Sequence, residues 1–405
     1  MTAPTANPTQ HPYRWLMLFG ASSVYACFGA VMAAMAVLVK PISESLSLSP
    51  LHMGIILGAW QFVYLFASIP TGAMLDRFGL RPCLLLAGLT LAASAALRVV
   101  ADSFSGLLFA VLLFGLGGPL ISLGAPKLVS RWFAGSERGL AMGIYMSSSG
   151  IGALLATILT NSTIMPLVGG DWQATFSVYA IVTLISVALW LGIASHPYSR
   201  MADRTVPGAV QRLDFRIFGK LLAHKELRVI MLMAFTMFFF IHAMNAWLPE
   251  VLRGKGLSLI DAGYWAAVPT IVAIIAALVV TRLALPHRRL SILTGVAIIA
   301  IASVIFLEIQ PLALLAFCLM GQGIPRSCLV PIALLMLMES KALGGDSMGA
   351  ASGLFFTAGQ VGGVLGPFLC GLAISATGNY DTPLWIMGLS MVMLLALLAF
   401  HSRSP

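Results

Sequence analysis

Long apolar runs separated by short polar segments are the dominant pattern along this 405-residue chain. A helix that crosses a bilayer needs about 20 mostly apolar residues, because lipid offers its backbone no hydrogen-bond partner. The runs that meet this requirement are 15–39, 52–75, 83–101, 106–128, 139–161, 174–195, 229–249, 262–283, 290–309, 312–336, 350–375 and 383–401. The pattern therefore predicts an all-α membrane protein with twelve transmembrane helices.

The longest polar connection, residues 196–228, divides these spans six and six. It predicts an N-terminal six-helix bundle at 1–195, a cytoplasmic linker at 196–228 and a C-terminal six-helix bundle at 229–405. The string Gly115-Leu116-Gly117-Gly118-Pro119 in span 4 returns in span 10 as Gly321-Gln322-Gly323-Ile324-Pro325. Similar strings on helices of equivalent rank indicate that the two halves are pseudo-repeats.

Composition and charge agree with a membrane protein. Charged residues make up 9% of the chain, against about 25% in soluble globular proteins. The net charge is +9, but the basic residues lie between apolar runs rather than in a surface patch, so nucleic acid is not an expected partner. Most Lys and Arg residues fall in loops on the same side of the membrane as the N-terminus. Because such loops are usually cytoplasmic, this predicts cytoplasmic termini in a bacterial inner membrane. The five cysteines contain no Cys-x-x-Cys pair, so we expect no metal site, and no cofactor is indicated.

The loop after span 2 reads Gly72-Ala73-Met74-Leu75-Asp76-Arg77-Phe78-Gly79-Leu80-Arg81-Pro82. It resembles the G-x-x-x-D-R-x-G-R-R signature of the major facilitator superfamily, whose transporters have six plus six helices. The resemblance implies alternating access around a site between the halves, near the midplane. It also implies an inner-gate charge network formed by Asp76, Arg77, Arg81, Glu137 and Arg138. Shorter strings, such as Ala246-Trp247-Leu248-Pro249, are similar to the cyanate and nitroimidazole transporter subgroup.

Arg326 is the strongest candidate for substrate binding, because charged groups inside a bilayer are expensive and mark functional sites. It is about the fifteenth residue of span 10, so a rise of 1.5 Å per residue places it roughly 20 Å from the outer boundary. None of the 14 acidic residues lies in the middle of a predicted span, and the nearest, Glu308, ends span 9. An anionic substrate is the expected charge partner. The alternative is a structural tie to carbonyl groups that the flanking Pro325 and Pro331 leave unpaired.

Other polar residues in the spans are candidate ligand contacts, each with a structural alternative. Lys127 near the inner end of span 4 and Arg98 near the outer end of span 3 can instead snorkel to the interface. His242 can titrate near neutral pH, although a lone histidine in a helix more often bonds a neighbour. The uncharged candidates, for which interhelical hydrogen bonding is the commoner use, are Gln61, Tyr64, Tyr145, Ser149, Asn245 and Gln360.

Together with the superfamily resemblance, which implies a carrier, these residues predict a secondary active or facilitative transporter of a small organic or inorganic anion, such as a monocarboxylate or cyanate. Uptake is the expected direction, a monomer the expected state, and a coupling proton or counter-anion an open option. The alternative within transport is a multidrug or metabolite exporter, which would more usually bind cations through an intramembrane carboxylate. A membrane-embedded enzyme is less favoured, because its chemistry needs clustered His, Asp or Glu and only His242 lies in mid-span. A receptor is the remaining alternative.

Overall fold

The computed structural model describes residues 11–135, 137–202, 216–283, 286–309, 314–340 and 348–402. Within these ranges all regular secondary structure is helical, and twelve helices are long and apolar enough to cross a membrane. This confirms the predicted fold class. The cytoplasmic placement of the termini stays a prediction.

The membrane-crossing helices match the predicted spans and are in several cases longer. The helices are α1 (Tyr13–Val37), α2 (Val39–Leu46), α3 (Pro50–Phe78), α4 (Leu80–Val99), α5 (Phe104–Trp132), α6 (Glu137–Leu159), α7 (Met165–Leu167), α8 (Trp172–Ser195), α9 (Pro197–Ala202), α10 (Arg216–Ala223), α11 (Lys225–Gly254), α12 (Leu259–Leu283), α13 (Arg289–Ile309), α14 (Leu315–Met338), α15 (Met348–Thr377) and α16 (Thr382–Ser402). A π-helical turn, Thr160–Ile164, continues α6, and a 3₁₀ turn, Pro286–Arg288, precedes α13. The short helices α2, α7, α9 and α10 were not predicted, because none is long enough to span a bilayer.

The described residues form two compact units. The first lies within Met1–Leu38 and Val63–Gln211, and the second lies within Val39–Phe62 and Arg212–Pro405. Residues 39–62 therefore group with the C-terminal helices, whereas the sequence pattern placed them in the bundle 1–195. Of the predicted linker 196–228, residues 203–215 lie outside the described ranges, and its boundaries stay a prediction.

Glycines explain why the first half of α3 belongs to the second unit. A Cβ added to Gly54 would lie 2.6 Å from the carbonyl oxygen of Pro367 on α15. A Cβ added to Gly58 would lie 2.8 Å from the carbonyl oxygen of Val364. Because ordinary contacts of such atoms are longer, only residues without a side chain let these two backbones come so close.

The first unit uses the same device where α1 crosses α6. A Cβ on Gly29 would lie 1.9 Å from the carbonyl oxygen of Ser149, and one on Gly152 would lie 1.8 Å from that of Ala26. Since each helix contributes one glycine, the two backbones are in direct contact. Dispersion forces and small residues, rather than a hydrophobic effect, hold such helices together in lipid.

The glycine motif that predicted the repeat has equivalent packing in the two units. In each, one glycine packs against the preceding span and another packs against the span before that. The pairs are Gly117 with Thr90, Gly118 with Tyr64, Gly321 with Ser303 and Gly323 with Val272. The two copies therefore share packing as well as sequence.

Candidate substrate-binding site

Arg326 lies on α14 of the second unit, and its side chain is half-buried. Its guanidinium Nη2 donates a hydrogen bond to Oδ1 of Asn245 on α11. Among the described residues no carboxylate lies within 4.0 Å of this guanidinium. Pro325 and Pro331 both lie inside α14, so the helix has lost two backbone donors beside the charge. The cation is thus held by an amide oxygen and keeps its net charge.

His242 lies one turn before Asn245 on α11, so both side chains lie on one face of that helix. Nε2 of Gln61 on α3 lies 3.2 Å from Nδ1 of His242 and donates to that ring nitrogen in the tautomer that leaves it unprotonated. The indole of Trp60 meets the imidazole edge-on, with 5.6 Å between ring centroids. We call Gln61, His242, Asn245 and Arg326 the Arg326 cluster. The fold therefore brings together four of the residues predicted to bind substrate.

Glutamines border this cluster. Gln360 on α15 is 7% exposed, and it lies one turn before Gly363, where an added Cβ would be 2.8 Å from Cδ2 of His242. Gln322 is fully buried on α14, one turn before Arg326. The sequence analysis overlooked Gln322 as a site residue. The signal available was its i, i+4 relation to Arg326, which places both on one face of a helix.

The remaining uncharged candidates lie in the first unit. The hydroxyl groups of Tyr64 and Ser122 are 2.6 Å apart. The Tyr145 hydroxyl donates to the carbonyl oxygen of Ile121 at 2.8 Å, and its ring lies 5.2 Å from that of Tyr25. Ser149 is half-buried where α6 crosses α1. Their contacts within the unit are interhelical, which is the commoner use of such groups.

Arg98 is buried in the first unit, with 1% of its surface exposed. Its guanidinium donates to the carbonyl oxygen of Val31 at 3.2 Å and to the Ser94 hydroxyl at 3.3 Å. It also lies 5.4 Å from the ring centre of Phe114 and 5.0 Å from that of Phe176. Snorkelling to the interface is therefore wrong for this side chain, because aromatic rings and a carbonyl retain it inside the bundle.

Lys127 is half-buried on α5, and its ammonium group donates to the carbonyl oxygen of Leu75. Leu75 lies in the last turn of α3, and its carbonyl oxygen also accepts from the backbone N–H of Gly79 at 3.1 Å. Lys127 therefore caps the helix that leads into the loop carrying the superfamily-like motif. A cation at a helix C-terminus is also favoured by the helix dipole.

The predicted inner-gate residues have several partners within the first unit. Arg77 is exposed, with its guanidinium 5.2 Å from the ring centre of Phe78. Glu137 forms an ion pair with Arg14, with 2.8 Å between Oε1 and Nη2. The sequence analysis missed Arg14, because it lies at the start of the first span, far along the chain from Glu137.

Main-chain groups take part in the hydrogen bonds of two further gate residues, Arg138 and Arg81. Nε of Arg138 donates to the carbonyl oxygen of Phe133 at 2.8 Å. The carbonyl oxygen of Arg81 accepts from the indole of Trp190 at 3.2 Å. The side chain of Asp76 lies outside the described residues, so the complete gate network stays a prediction.

Glu250 is an acidic residue that the sequence analysis did not consider. The predicted span ended at residue 249, but α11 continues through Pro249 to Gly254. Glu250 is 2% exposed, and its Oε2 lies 2.5 Å from the guanidinium of Arg253 one turn later. It is thus a buried carboxylate near the helix end whose charge partner is Arg253.

Comparison with known proteins adds a family and several relatives. A family model described as Major Facilitator Superfamily matches residues 18–367. The chain is 23% identical over 422 residues to the probable galactarate/D-glucarate transporter GudP of Bacillus subtilis strain 168, covering 94% of this chain and 90% of that protein. It is 27% identical over 374 residues to the quinolone resistance transporter of Acinetobacter baumannii, covering 84% and 83%. A crystal structure of the nucleoside transporter NupG matches with a TM-score of 0.79 at 11% identity, covering 98% of this chain and 100% of that one.

Proposed function

Because the chain belongs to the Major Facilitator Superfamily, we propose that it takes up a small organic carboxylate and that Arg326 is the main charge partner. The protein is a multi-pass membrane transporter and not an enzyme. In this proposal the protein is a monomer in a bacterial inner membrane. It transports by alternating access and is coupled to a proton or a counter-anion. The finer resemblance to the cyanate and nitroimidazole subgroup stays a prediction.

The observation that carries this proposal is a cation without a carboxylate partner among the described residues. Asn245 satisfies one donor of Arg326, but an amide oxygen does not neutralise the charge. A guanidinium offers five donors in a rigid fork that matches a carboxylate through two parallel hydrogen bonds. A charge inside a transmembrane helix bundle is expensive, and a substrate carboxylate would supply its partner.

The relatives support an organic anion, with one competing indication. The Bacillus subtilis relative is named for galactarate and D-glucarate, which are organic anions. The Acinetobacter baumannii relative is named for quinolone resistance, which favours a drug exporter as the second candidate. The Arg326 cluster disfavours a cationic drug, because its only permanently charged member is a guanidinium.

Main-chain or interhelical contacts are sufficient to explain the other polar candidates in the spans, which are Lys127, Arg98, Tyr64, Tyr145 and Ser149. We keep them as secondary candidates for substrate contact. For the inner gate, we propose Asp76, Arg77, Arg81, Glu137 and Arg138, extended by Arg14 through its ion pair with Glu137.

The test is calorimetric titration of the purified full-length protein with galactarate. Loss of a desolvated charge pair typically costs about 2–5 kcal/mol, so Arg326→Ala should abolish measurable binding. Arg326→Lys keeps the charge but loses the fork and should bind weakly. The matched control is Ser327→Ala, since among the described residues that hydroxyl contacts the carbonyl oxygen of Ile324 and the Cys328 sulfur, both within α14.

The uncharged diamide of galactarate provides the second control, because it keeps the carbon chain and removes the negative charge. We expect it not to bind the wild-type protein. Equal affinity of wild type and Arg326→Ala for galactarate, or preference for a cationic ligand without a carboxylate, would overturn the proposal. In that case Arg326 would be only a tie between α14 and α11.

A further inference from the structure

Buried amide groups near the Arg326 cluster lack hydrogen-bond partners. Both Nε2 and Oε1 of Gln322 are buried without a partner among the described residues, as are the Oε1 atoms of Gln360 and Gln61. Most buried polar groups in folded proteins are paired, and an unpaired one lowers stability. Three such glutamines in or near the Arg326 cluster therefore indicate a ligand that brings hydrogen-bonding groups of its own.

The packing of α14 directs Gln322 into the second unit. The two glycines that flank it fix the rotation of the helix, because Gly321 lies against Ser303 of α13 and Gly323 against Val272 of α12. The outer face of this segment carries Phe317 and Met320, whose side chains are 72% and 48% exposed. At about 100° per residue, Gln322 lies roughly opposite to both of them, on the face that carries Arg326 one turn later.

The packing of α15 directs Gln360 toward α3. On this helix Val364 and Pro367 lie against Gly58 and Gly54 of α3. Gln360 is one turn before Val364 and therefore continues the same row. The next position along α3 in that direction is Gln61, which bonds His242. Gln360 therefore lies on the row of α15 that leads to Gln61, a member of the Arg326 cluster, whereas Gln322 reaches the cluster from α14.

We propose that Gln322 and Gln360 bind hydroxyl groups of the substrate, so that the carrier selects hydroxylated carboxylates over plain carboxylates of the same length. This inference rests on the proposed function, because it takes Arg326 as the partner of the carboxylate.

The chemistry of the amides fits this substrate class. A carboxamide offers an acceptor oxygen and two donor hydrogens, and a hydroxyl group both donates and accepts. A hydroxyl beside Gln322 can therefore satisfy its oxygen and its nitrogen. A plain carboxylate brings only methylene groups to these positions and leaves the amides unpaired. Sites built to hydrogen-bond a hydroxyl discriminate strongly against the analogue that lacks it.

The experiment uses three six-carbon probes that differ in one feature each. Galactarate has two carboxylates and four hydroxyls, adipate has the carboxylates without the hydroxyls, and galactitol has hydroxyls without a carboxylate. Calorimetric titration of the full-length wild-type protein should give at least about tenfold tighter binding of galactarate than of adipate. Galactitol should show no measurable binding, because it lacks the charge for Arg326.

The variants Gln322→Met and Gln360→Met keep an unbranched side chain of similar length and remove the amide. Each should reduce the preference for galactarate to about threefold or less while leaving the affinity for adipate nearly unchanged. Gln173→Met is the matched control, since the Gln173 amide donates to the carbonyl oxygen of Ala101 in the first unit at 2.9 Å. This variant should keep the wild-type preference.

The outcomes separate the two proposals. If Arg326→Ala loses both acids but Gln322→Met and Gln360→Met retain the full preference, the hydroxyl assignment is overturned and the charge assignment stands. If Arg326→Ala binds both acids like wild type, the proposed function itself fails. A wild-type protein that binds adipate as tightly as galactarate, or binds neither acid, overturns the hydroxyl assignment. A Gln322→Met variant that is merely more heat-stable, with its preference intact, shows only a packing defect.

Discussion

Replacing Asn245 with aspartate is the sharpest perturbation of the site, because it changes one atom beside Arg326. Oδ1 of Asn245 accepts a hydrogen bond from Nη2 of Arg326, and aspartate keeps that oxygen and the side-chain volume. The change supplies an internal carboxylate in the place where we propose that the substrate carboxylate binds. We therefore expect Asn245→Asp to lose anion binding while its thermal stability stays equal or rises.

The expected magnitude follows from the charges involved. Neutralising Arg326 removes a desolvated charge pair with the substrate, which is typically worth about 2–5 kcal/mol. At 1.4 kcal/mol per factor of ten, galactarate should bind from about 30-fold to several thousand-fold more weakly. Repulsion between the new carboxylate and that of the substrate acts in the same direction. Calorimetric titration measures the affinity, and a thermal unfolding scan of the unliganded protein measures stability.

Asn245→Leu is the matched control, since it removes the same hydrogen bond without adding a charge. It should weaken binding by less than about tenfold, the scale of one ordinary hydrogen bond. Wild-type affinity in Asn245→Asp would refute the assignment of Arg326 as the anion partner. Equal losses in the two variants would show that the amide contact, and not the charge of the guanidinium, decides binding.

Three further predictions concern the scaffold and the gate. Gly152→Ala places a Cβ 1.8 Å from a carbonyl oxygen of α1 and should destabilise the protein by about 1–3 kcal/mol. Gly143→Ala on the same helix meets nothing within 4 Å and should unfold at or above the wild-type temperature, because alanine has the higher helix propensity. Glu250→Ala should lower the unfolding temperature, and a double-mutant cycle with Arg253→Ala should give a coupling energy of at least about 0.5 kcal/mol; independent effects would contradict the ion pair. Asp76→Asn should impair transport into proteoliposomes more than equilibrium binding of galactarate, and parallel losses would remove this residue from the gate.

The fold was predictable because the bilayer imposes one strong requirement, an apolar helix of about 20 residues. The ends of the helices were less predictable. Pro249 suggested an end at residue 249, yet α11 continues to Gly254, since a proline near the last turn removes only one backbone hydrogen bond. Glu250 was overlooked for that reason. The grouping of residues 39–62 with the second unit could not be predicted from the sequence either, because it depends on which helix Gly54 and Gly58 face.

The site was predictable only in part. Charge within an apolar run identified Arg326, and polarity identified His242, Asn245 and Gln61. Their assembly depends on the rotation of α11 and α14 about their axes, and an 81-residue separation between Asn245 and Arg326 gives no information on rotation. Gln322 was assigned to the glycine motif, so its polarity was not considered together with its position one turn before Arg326.

Two intramembrane arginines show why charge in a span is not sufficient to identify a binding residue. Arg98 and Arg326 both lack a carboxylate within 4.0 Å in the part of the chain that the structure describes. Arg98 is 1% exposed and lies between the rings of Phe114 and Phe176, and such desolvated cation–π contacts are worth about 2 kcal/mol or more. Arg326 has no aromatic ring among its described contacts and only an amide partner, and it stays half-buried. A cation that the protein itself surrounds stabilises a helix bundle. A half-buried cation whose bond among the described residues is to one amide is suited to an anion that binds and is released.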